Sequence, residues 1–104
     1  MEKRRIAVIF GGCSSEHEVS RLSAKCVIDN IPKEKYEIIP IGIDKAGRWS
    51  LTDSSTDDIV SGAWEQNPRN RVAFLSPDGS VGGLVALDGG HACEIIKVDV
   101  VFPV

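Results

Sequence analysis

The chain has 104 residues, which is enough to bury one hydrophobic core, so a single domain is predicted. Hydrophobic residues make up 42% of it and charged residues 26%, a balance that excludes the disordered and fibrous classes. The net charge is −3, and no basic segment is longer than residues 3 to 5, which argues against a general affinity for nucleic acid or for an anionic membrane. Small molecules or proteins are therefore the favoured partners.

The basic amino-terminal residues and the cysteines both indicate the cellular compartment of the protein. The apolar run at residues 6 to 10 is shorter than the roughly 7 to 15 residues of a secretion signal, and no other segment is long enough to span a bilayer. Cys13, Cys26 and Cys93 are odd in number and lack a CxxC spacing, which favours reduced thiols in the cytoplasm. Cys26 and Cys93 are predicted to be buried.

The first 43 residues have the pattern of a βαβ unit. Residues 5 to 10 form an apolar run without alternation, which is typical of a central strand covered on both faces of a parallel sheet. Residues 36 to 43 form a second such run. A strand, a helix and a strand in this order predict a right-handed parallel crossover.

The helix between these strands has start and stop signals. Ser15 and Glu18 have the S-x-x-E spacing of a capping box, so the helix is predicted to start at Ser15, and Asn30 followed by Pro32 ends it. Apolar and small residues recur at helical spacing and are predicted to form the face against the sheet: Val19, Leu22, Ser23, Cys26, Val27 and Ile31.

The middle of the chain predicts short antiparallel elements. Residues 44 to 47 form a turn to a short strand at residues 48 to 51, and residues 57 to 65 are a weak helix candidate capped by Thr56 or Asp57. Further strands are predicted at residues 72 to 75, 84 to 87 and 93 to 97, separated by turns at 76 to 79 and 88 to 90. Residues 98 to 104 then read as another central parallel strand. Because no covering helix follows, an apolar face is expected to remain exposed and to favour self-association.

The loop FGGCSSEHEVS at residues 10 to 20 lies where open α/β sheets bind ligands. A phosphate at the helix start gains roughly 0.3 to 1 kcal/mol, whereas Glu16 at about 4 Å would oppose it by roughly 4 kcal/mol. Neither GxGxxG nor GxxxxGK[ST] is present, so a phosphate loop is disfavoured. The capping box accounts for Glu18, but not for Glu16, which is free to face a cationic group such as an ammonium. His17 is more typical of a solvated residue, and no neighbouring ligands predict a metal site.

The string VIFGGCSSEHEVS, residues 8 to 20, resembles the amino-terminal signature of D-alanine–D-alanine ligases, which are ATP-grasp enzymes. The segments IGIDKAGRW, VAFLSPDGS and VDVVFPV fall where that family has its hairpin, its insert and its third central strand. The resemblance therefore implies an α/β fold of pre-ATP-grasp type, a Rossmann-like parallel sheet with a β-hairpin-rich insert. It also implies that residues 1 to 104 are the amino-terminal domain of an enzyme whose central and carboxy-terminal ATP-grasp domains are absent here.

The resemblance also implies an activity. The family phosphorylates one D-alanine carboxylate with ATP and Mg²⁺, both bound outside residues 1 to 104, and joins it to the amine of a second substrate to supply a peptidoglycan dipeptide. The second substrate is D-alanine, D-lactate or D-serine in different members. A cytoplasmic enzyme, homodimeric at full length, is expected.

Two residues of the motif carry over as site residues. Glu16 stands at the position of the glutamate that orients the ammonium of the first D-alanine, and it is the catalytic and substrate-binding residue that the resemblance implies. Val19 stands where a valine packs near the methyl group of that substrate, while Cys13 stands at a variable position. The chain alone is expected to be inactive. The alternative is a free-standing binding or regulatory domain for a small amino acid, and a reading frame that continues past Val104 into ATP-grasp sequence would distinguish the two.

Overall fold

The computed structural model describes residues 3 to 12, 17 to 75, 83 to 88 and 92 to 104. Seven strands form one sheet in the order β6-β5-β4-β3-β2-β1-β7. They are β1 (Arg4–Gly11), β2 (Tyr36–Ile43), β3 (Trp49–Leu51), β4 (Arg71–Leu75), β5 (Gly83–Asp88), β6 (Ala92–Lys97) and β7 (Val100–Pro103). β1 pairs in parallel with β2 and with β7, and the other pairs are antiparallel. The predicted parallel sheet with a hairpin-rich insert is confirmed.

The last strand is parallel to β1, as predicted, but its predicted central position is wrong for the described chain. β7 lies at the edge of the sheet and begins only at Val100. Asp99 instead bonds the backbone of Arg5, whose N–H donates to Oδ2 at 2.8 Å and whose carbonyl accepts from the Asp99 N–H at 2.9 Å. Pro103 suits an edge strand, because it has no N–H to donate to a further neighbour.

One face of the sheet is covered by two helices, α1 (His17–Asn30) and α2 (Thr56–Ser61), and by a short 3-10 helix at Ala63–Gln66. α1 ends at Asn30, as predicted, while the capping box at Ser15 lies outside the described residues. α2 begins earlier than predicted, and Ser55 caps it by accepting from the Asp58 N–H at 3.2 Å, so the caps expected at Thr56 or Asp57 are wrong.

The buried face of α1 differs from the prediction. Val19 and Leu22 are 55% and 57% exposed, and Ser23 and Cys26 are also exposed, whereas Ser20, Ala24 and Ile28 are buried and Val27 and Ile31 are partly buried against the core. Ser20 is on the buried face, where its hydroxyl bonds to the ends of two strands beneath the helix. The predicted burial of Cys26 is therefore wrong, and the side chains of Cys13 and Cys93 lie outside the described part.

Strands β5 and β6 of the insert cover the second face of β1 and β2, a face that helices cover in many α/β folds. Ala7, Ile9 and Ile41 are packed there in one buried cluster with Leu84 of β5, and Ile96 of β6 lies against it. Residues 6 to 10 of β1 are buried without interruption, which confirms the prediction of a strand covered on both faces.

Trp64 holds the helical layer against β2. Its side chain is 1% exposed, and its ring meets that of Phe10 edge to face, with centroids 5.2 Å apart and planes at 76°. A Cβ built on Gly42 would overlap three atoms of the indole, of which even Cζ2 would be 2.8 Å away. The indole therefore lies directly on the backbone of Gly42.

The exposed edge strand β7 is expected to make the chain associate with itself. Val100, Val101 and Phe102 are 44%, 41% and 44% exposed on an edge strand, where unpaired backbone groups also invite a second chain. Sedimentation velocity is expected to show oligomers that grow with concentration, and Phe102→Asp is expected to shift the distribution towards monomer. Phe74, which is 41% exposed on β4, provides the matched control. If Phe74→Asp shifted the oligomer distribution towards monomer and Phe102→Asp did not, the association surface would lie on the insert instead.

Candidate functional site

The carboxyl ends of β1, β2 and β7 meet at one edge of the sheet. β1 ends in Gly11, and Gly11 and Gly12 have φ values of 90° and 109°, a backbone region that L side chains rarely adopt. The Gly12 N–H donates to the carbonyl of Ile43, the last residue of β2, at 2.7 Å. The two glycines thus lead the chain across the edge at which parallel sheets bind ligands, and towards residues 13 to 16.

Ser20 joins three elements at this edge. Its side chain is buried in the second turn of α1, and its Oγ accepts from the Gly11 N–H at 2.9 Å and donates to the main-chain oxygen of Val104 at 2.8 Å. The hydroxyl therefore satisfies one donor at the end of β1 and one acceptor just past the end of β7. Pattern analysis missed this residue because the predicted buried stripe ran through Val19, Leu22 and Ser23, and the contacts of Ser20 are with residues 9 and 84 positions away.

The two predicted site residues have different outcomes. Val19 lies in the first turn of α1 and is 55% exposed, so its isopropyl group is accessible from outside the core. Glu16 immediately precedes the first residue of α1 and lies outside the described residues. The pairing of Glu16 with Val19 around one ligand therefore stays a prediction. His17 begins α1, and His91 lies outside the described residues.

A polar cavity of about 430 Å³ lies beyond the carboxyl end of β2. It is lined by charged and small residues: Arg21, Asp44, Lys45, Ala46, Arg48, Ser61, Gly62 and Glu65. Asp44 accepts from the Arg48 N–H at 3.0 Å and from Nε of Arg48 at 3.0 Å, and these bonds hold the pKa of Asp44 below its usual value. Charges of both signs line this cavity, and sequence analysis did not identify it.

The described residues lack the clustered side chains that a metal site needs. Among them, no group of three or more histidine, cysteine, aspartate and glutamate side chains could hold a metal ion. The glycine loop has neither the spacing nor the lysine that a phosphate loop needs. Across the ranges that the structure covers, no helix is both long and apolar enough to cross a membrane.

The fold and this edge define the class of the chain: an α/β domain with a parallel core and an antiparallel insert, with a pair of glycines after the first strand. Comparison with known proteins then identifies the family. Residues 5–104 match the family described as "D-ala D-ala ligase N-terminus". The chain belongs to this family of amino-terminal ligase domains.

Individual relatives agree with the family match. A D-alanine–D-alanine ligase from Caldicellulosiruptor bescii is 46% identical over 104 residues, which is 100% of this chain and 28% of that protein. The VanG D-Ala:D-Ser ligase from Enterococcus faecalis superposes with a TM-score of 0.89 at 39% identity, over 98% of this chain and 29% of that one. A D-alanine–D-alanine ligase from Coxiella burnetii gives 0.76 at 28% identity, over 97% and 28% of the two chains. The chain thus spans little more than a quarter of the length of these relatives.

Proposed function

We propose that this chain is the amino-terminal, substrate-side domain of an ATP-dependent D-alanine–D-alanine ligase, with residues 1 to 104 forming one domain of a longer cytoplasmic, homodimeric enzyme. The observation that carries the proposal is the family match over residues 5–104, which includes the glycine loop and the start of α1. The edge geometry supports it, because Gly11, Gly12 and Ser20 fix the two ends of the segment that contains Glu16.

In this proposal the chain binds and orients the first D-alanine. The Glu16 carboxylate pairs with the ammonium of that substrate, a charge-assisted bond that is stronger than a neutral hydrogen bond. Val19, exposed beside the loop, contacts the methyl group. ATP with magnesium, held by other parts of the enzyme, supplies the phosphoryl group that activates the substrate carboxylate. These residues act on the first substrate only, and the choice of the second substrate, which is D-alanine in this proposal, is made by residues outside 1 to 104.

The isolated chain is predicted to catalyse nothing. Phosphoryl transfer needs positioned phosphates, magnesium and cationic groups around the reacting oxygens, and no cluster of side chains among the described residues could hold the metal ion. A phosphate-release assay with ATP, magnesium and D-alanine is expected to stay at background, and ATP is not expected to raise the melting temperature even at concentrations far above the affinity typical of such enzymes. D-alanine alone should bind very weakly, because one carboxylate and one methyl contact hardly offset the lost freedom of so small a ligand.

The longer protein provides the positive arm of this test. A full-length ligase carrying these residues as its amino-terminal domain is expected to form dipeptide from D-alanine and ATP, detected by mass spectrometry. Phosphate release by the isolated chain that depends on D-alanine, or tight D-alanine binding without any dipeptide from the longer protein, would instead indicate a catalytic centre or a binding module within the 104 residues.

A further inference from the structure

We propose that Ser20 is a positioning residue for the first-substrate site: its hydroxyl bridges the carboxyl ends of β1 and β7 and thereby fixes Gly11 and α1, the two elements between which Glu16 lies in the sequence. This inference rests on the proposed function for its link to the substrate. Its structural part rests on three hydrogen bonds at the end of one strand pair.

The last direct bond between these two strands runs from the Val104 N–H to the Ile9 carbonyl at 2.9 Å. Bonds in a parallel pair are evenly spaced, so the next would run directly from the Gly11 N–H to the Val104 oxygen. In this structure the Ser20 hydroxyl occupies that place and bonds to both groups, at 2.9 Å and 2.8 Å. A side chain from α1 has therefore replaced one hydrogen bond between the strands. The Gly11 N–H and the Val104 oxygen are separated there by the bridging hydroxyl.

The separation lies at the start of the glycine loop. Gly11 is the last residue of β1, and the chain runs from it through Gly12 into residues 13 to 16 and then into α1. Ser20 is in α1 itself, so its two bonds fix the distance between the beginning of the loop and the helix that follows it. A hydroxyl offers one donor and suitable acceptor lone pairs, and here both functions are used.

A substitution of Ser20 should therefore affect binding through Glu16 more than it affects the fold. In the full-length ligase, Ser20→Ala is expected to raise the KM for the first D-alanine about tenfold, since small displacements of positioning groups are costly, while kcat changes by less than about threefold. Ser20→Thr retains the hydroxyl and is expected to resemble the wild type. Ser23→Ala, an exposed serine on the same helix, is the matched control and should change neither constant.

A double-mutant cycle with Glu16→Gln distinguishes a role of Ser20 in positioning Glu16 from general damage to the substrate site. If Ser20 acts by placing Glu16, then Ser20→Ala added to Glu16→Gln should raise KM by less than about twofold further, because the group it positions is already lost. Fully additive effects on KM, equal losses in the alanine and threonine variants, or a parallel rise in the KM for ATP would overturn the proposal.

The isolated chain provides an arm that does not depend on ligase activity. By NMR, Ser20→Ala is expected to shift the amide signals of Gly11, Gly12 and Val104 and to speed hydrogen exchange in the second turn of α1, where the amides are the first with intrahelical bonds, while the amide of the buried Ala73 is unchanged. Unaltered signals at these positions would refute the structural part. If the signals shift but Glu16→Gln alone leaves the KM unchanged, the proposed function of Glu16 fails and the role of Ser20 at the strand ends stands.

Discussion

Replacement of Glu16 by glutamine in the full-length ligase is expected to raise the KM for the first D-alanine by about 10- to 100-fold, while the melting temperature stays nearly constant. The size follows from the loss of a charge-assisted hydrogen bond, worth about 1.5 to 3 kcal/mol, to the substrate ammonium. Stability should be spared, because the residue that the capping box needs is Glu18. Steady-state kinetics with D-alanine varied at saturating ATP, and thermal unfolding of the same preparations, measure both quantities.

Glu18→Gln is the matched control, since it makes the same change two residues further along the same segment. A glutamine at the third position of a capping box can still bond to the backbone, so only a small loss of stability and no change in KM are expected. If Glu16→Gln and Glu18→Gln lowered stability equally and neither altered substrate affinity, Glu16 would be a structural residue and the proposed site would lose its central group.

Gly42→Ala is expected to be strongly destabilising, costing about 3 kcal/mol of unfolding free energy. The new Cβ would overlap the ring of Trp64, which is 1% exposed and cannot move into solvent without abandoning its contact with Phe10. Urea denaturation of the isolated chain would measure the loss as a lower midpoint.

Two further variants show whether overlap is the cause. Gly47 has a positive φ of 84° and nothing within 4 Å of its added Cβ, so Gly47→Ala should cost only the backbone strain of about 1 kcal/mol. In a Trp64→Leu background the obstacle is smaller, and Gly42→Ala should then cost less than about 1 kcal/mol. An undiminished cost in that background would mean that Gly42 is required for its backbone and not for the space it leaves to the indole.

The main elements could be predicted because their signals are local. The continuous apolar run before Gly11 gave a strand buried on both faces, and Asn30 with Pro32 marked the end of α1 correctly. The hairpin at residues 44 to 47 followed from its turn residues, and in the structure the Asp44 N–H donates to the Arg48 carbonyl at 3.0 Å. Such features depend on neighbours in sequence, so a pattern of residue types is sufficient to find them.

The face of α1 could not be predicted, because it is decided by contacts far away in sequence. A hydrophobic stripe through Val19 and Leu22 competes with one through Ala24 and Ile28. The second is buried in the structure, together with Ser20, whose hydroxyl bonds to residues 9 and 84 positions away. The candidate site shows the same difference between local sequence signals and contacts far away in sequence. The carboxylate of Glu16 was singled out by what the helix cap does not need, whereas Ser20 has meaning only once two strand ends lie beneath it.

The position of β7 also has a consequence for how the chain is made. On a ribosome, β1 emerges first, and the contact between Arg5 and Glu37 becomes available after 32 further residues, but that between Arg5 and Asp99 needs 94. One side of β1 therefore has no strand to bond to until residue 99 and those after it have been made, and an open strand edge of this kind can bind other chains. The strand that pairs with this side of β1 is translated long after β1 itself, and the residue that follows it carries the oxygen to which Ser20 donates, so this end of the sheet reaches its final form only when the late strand docks.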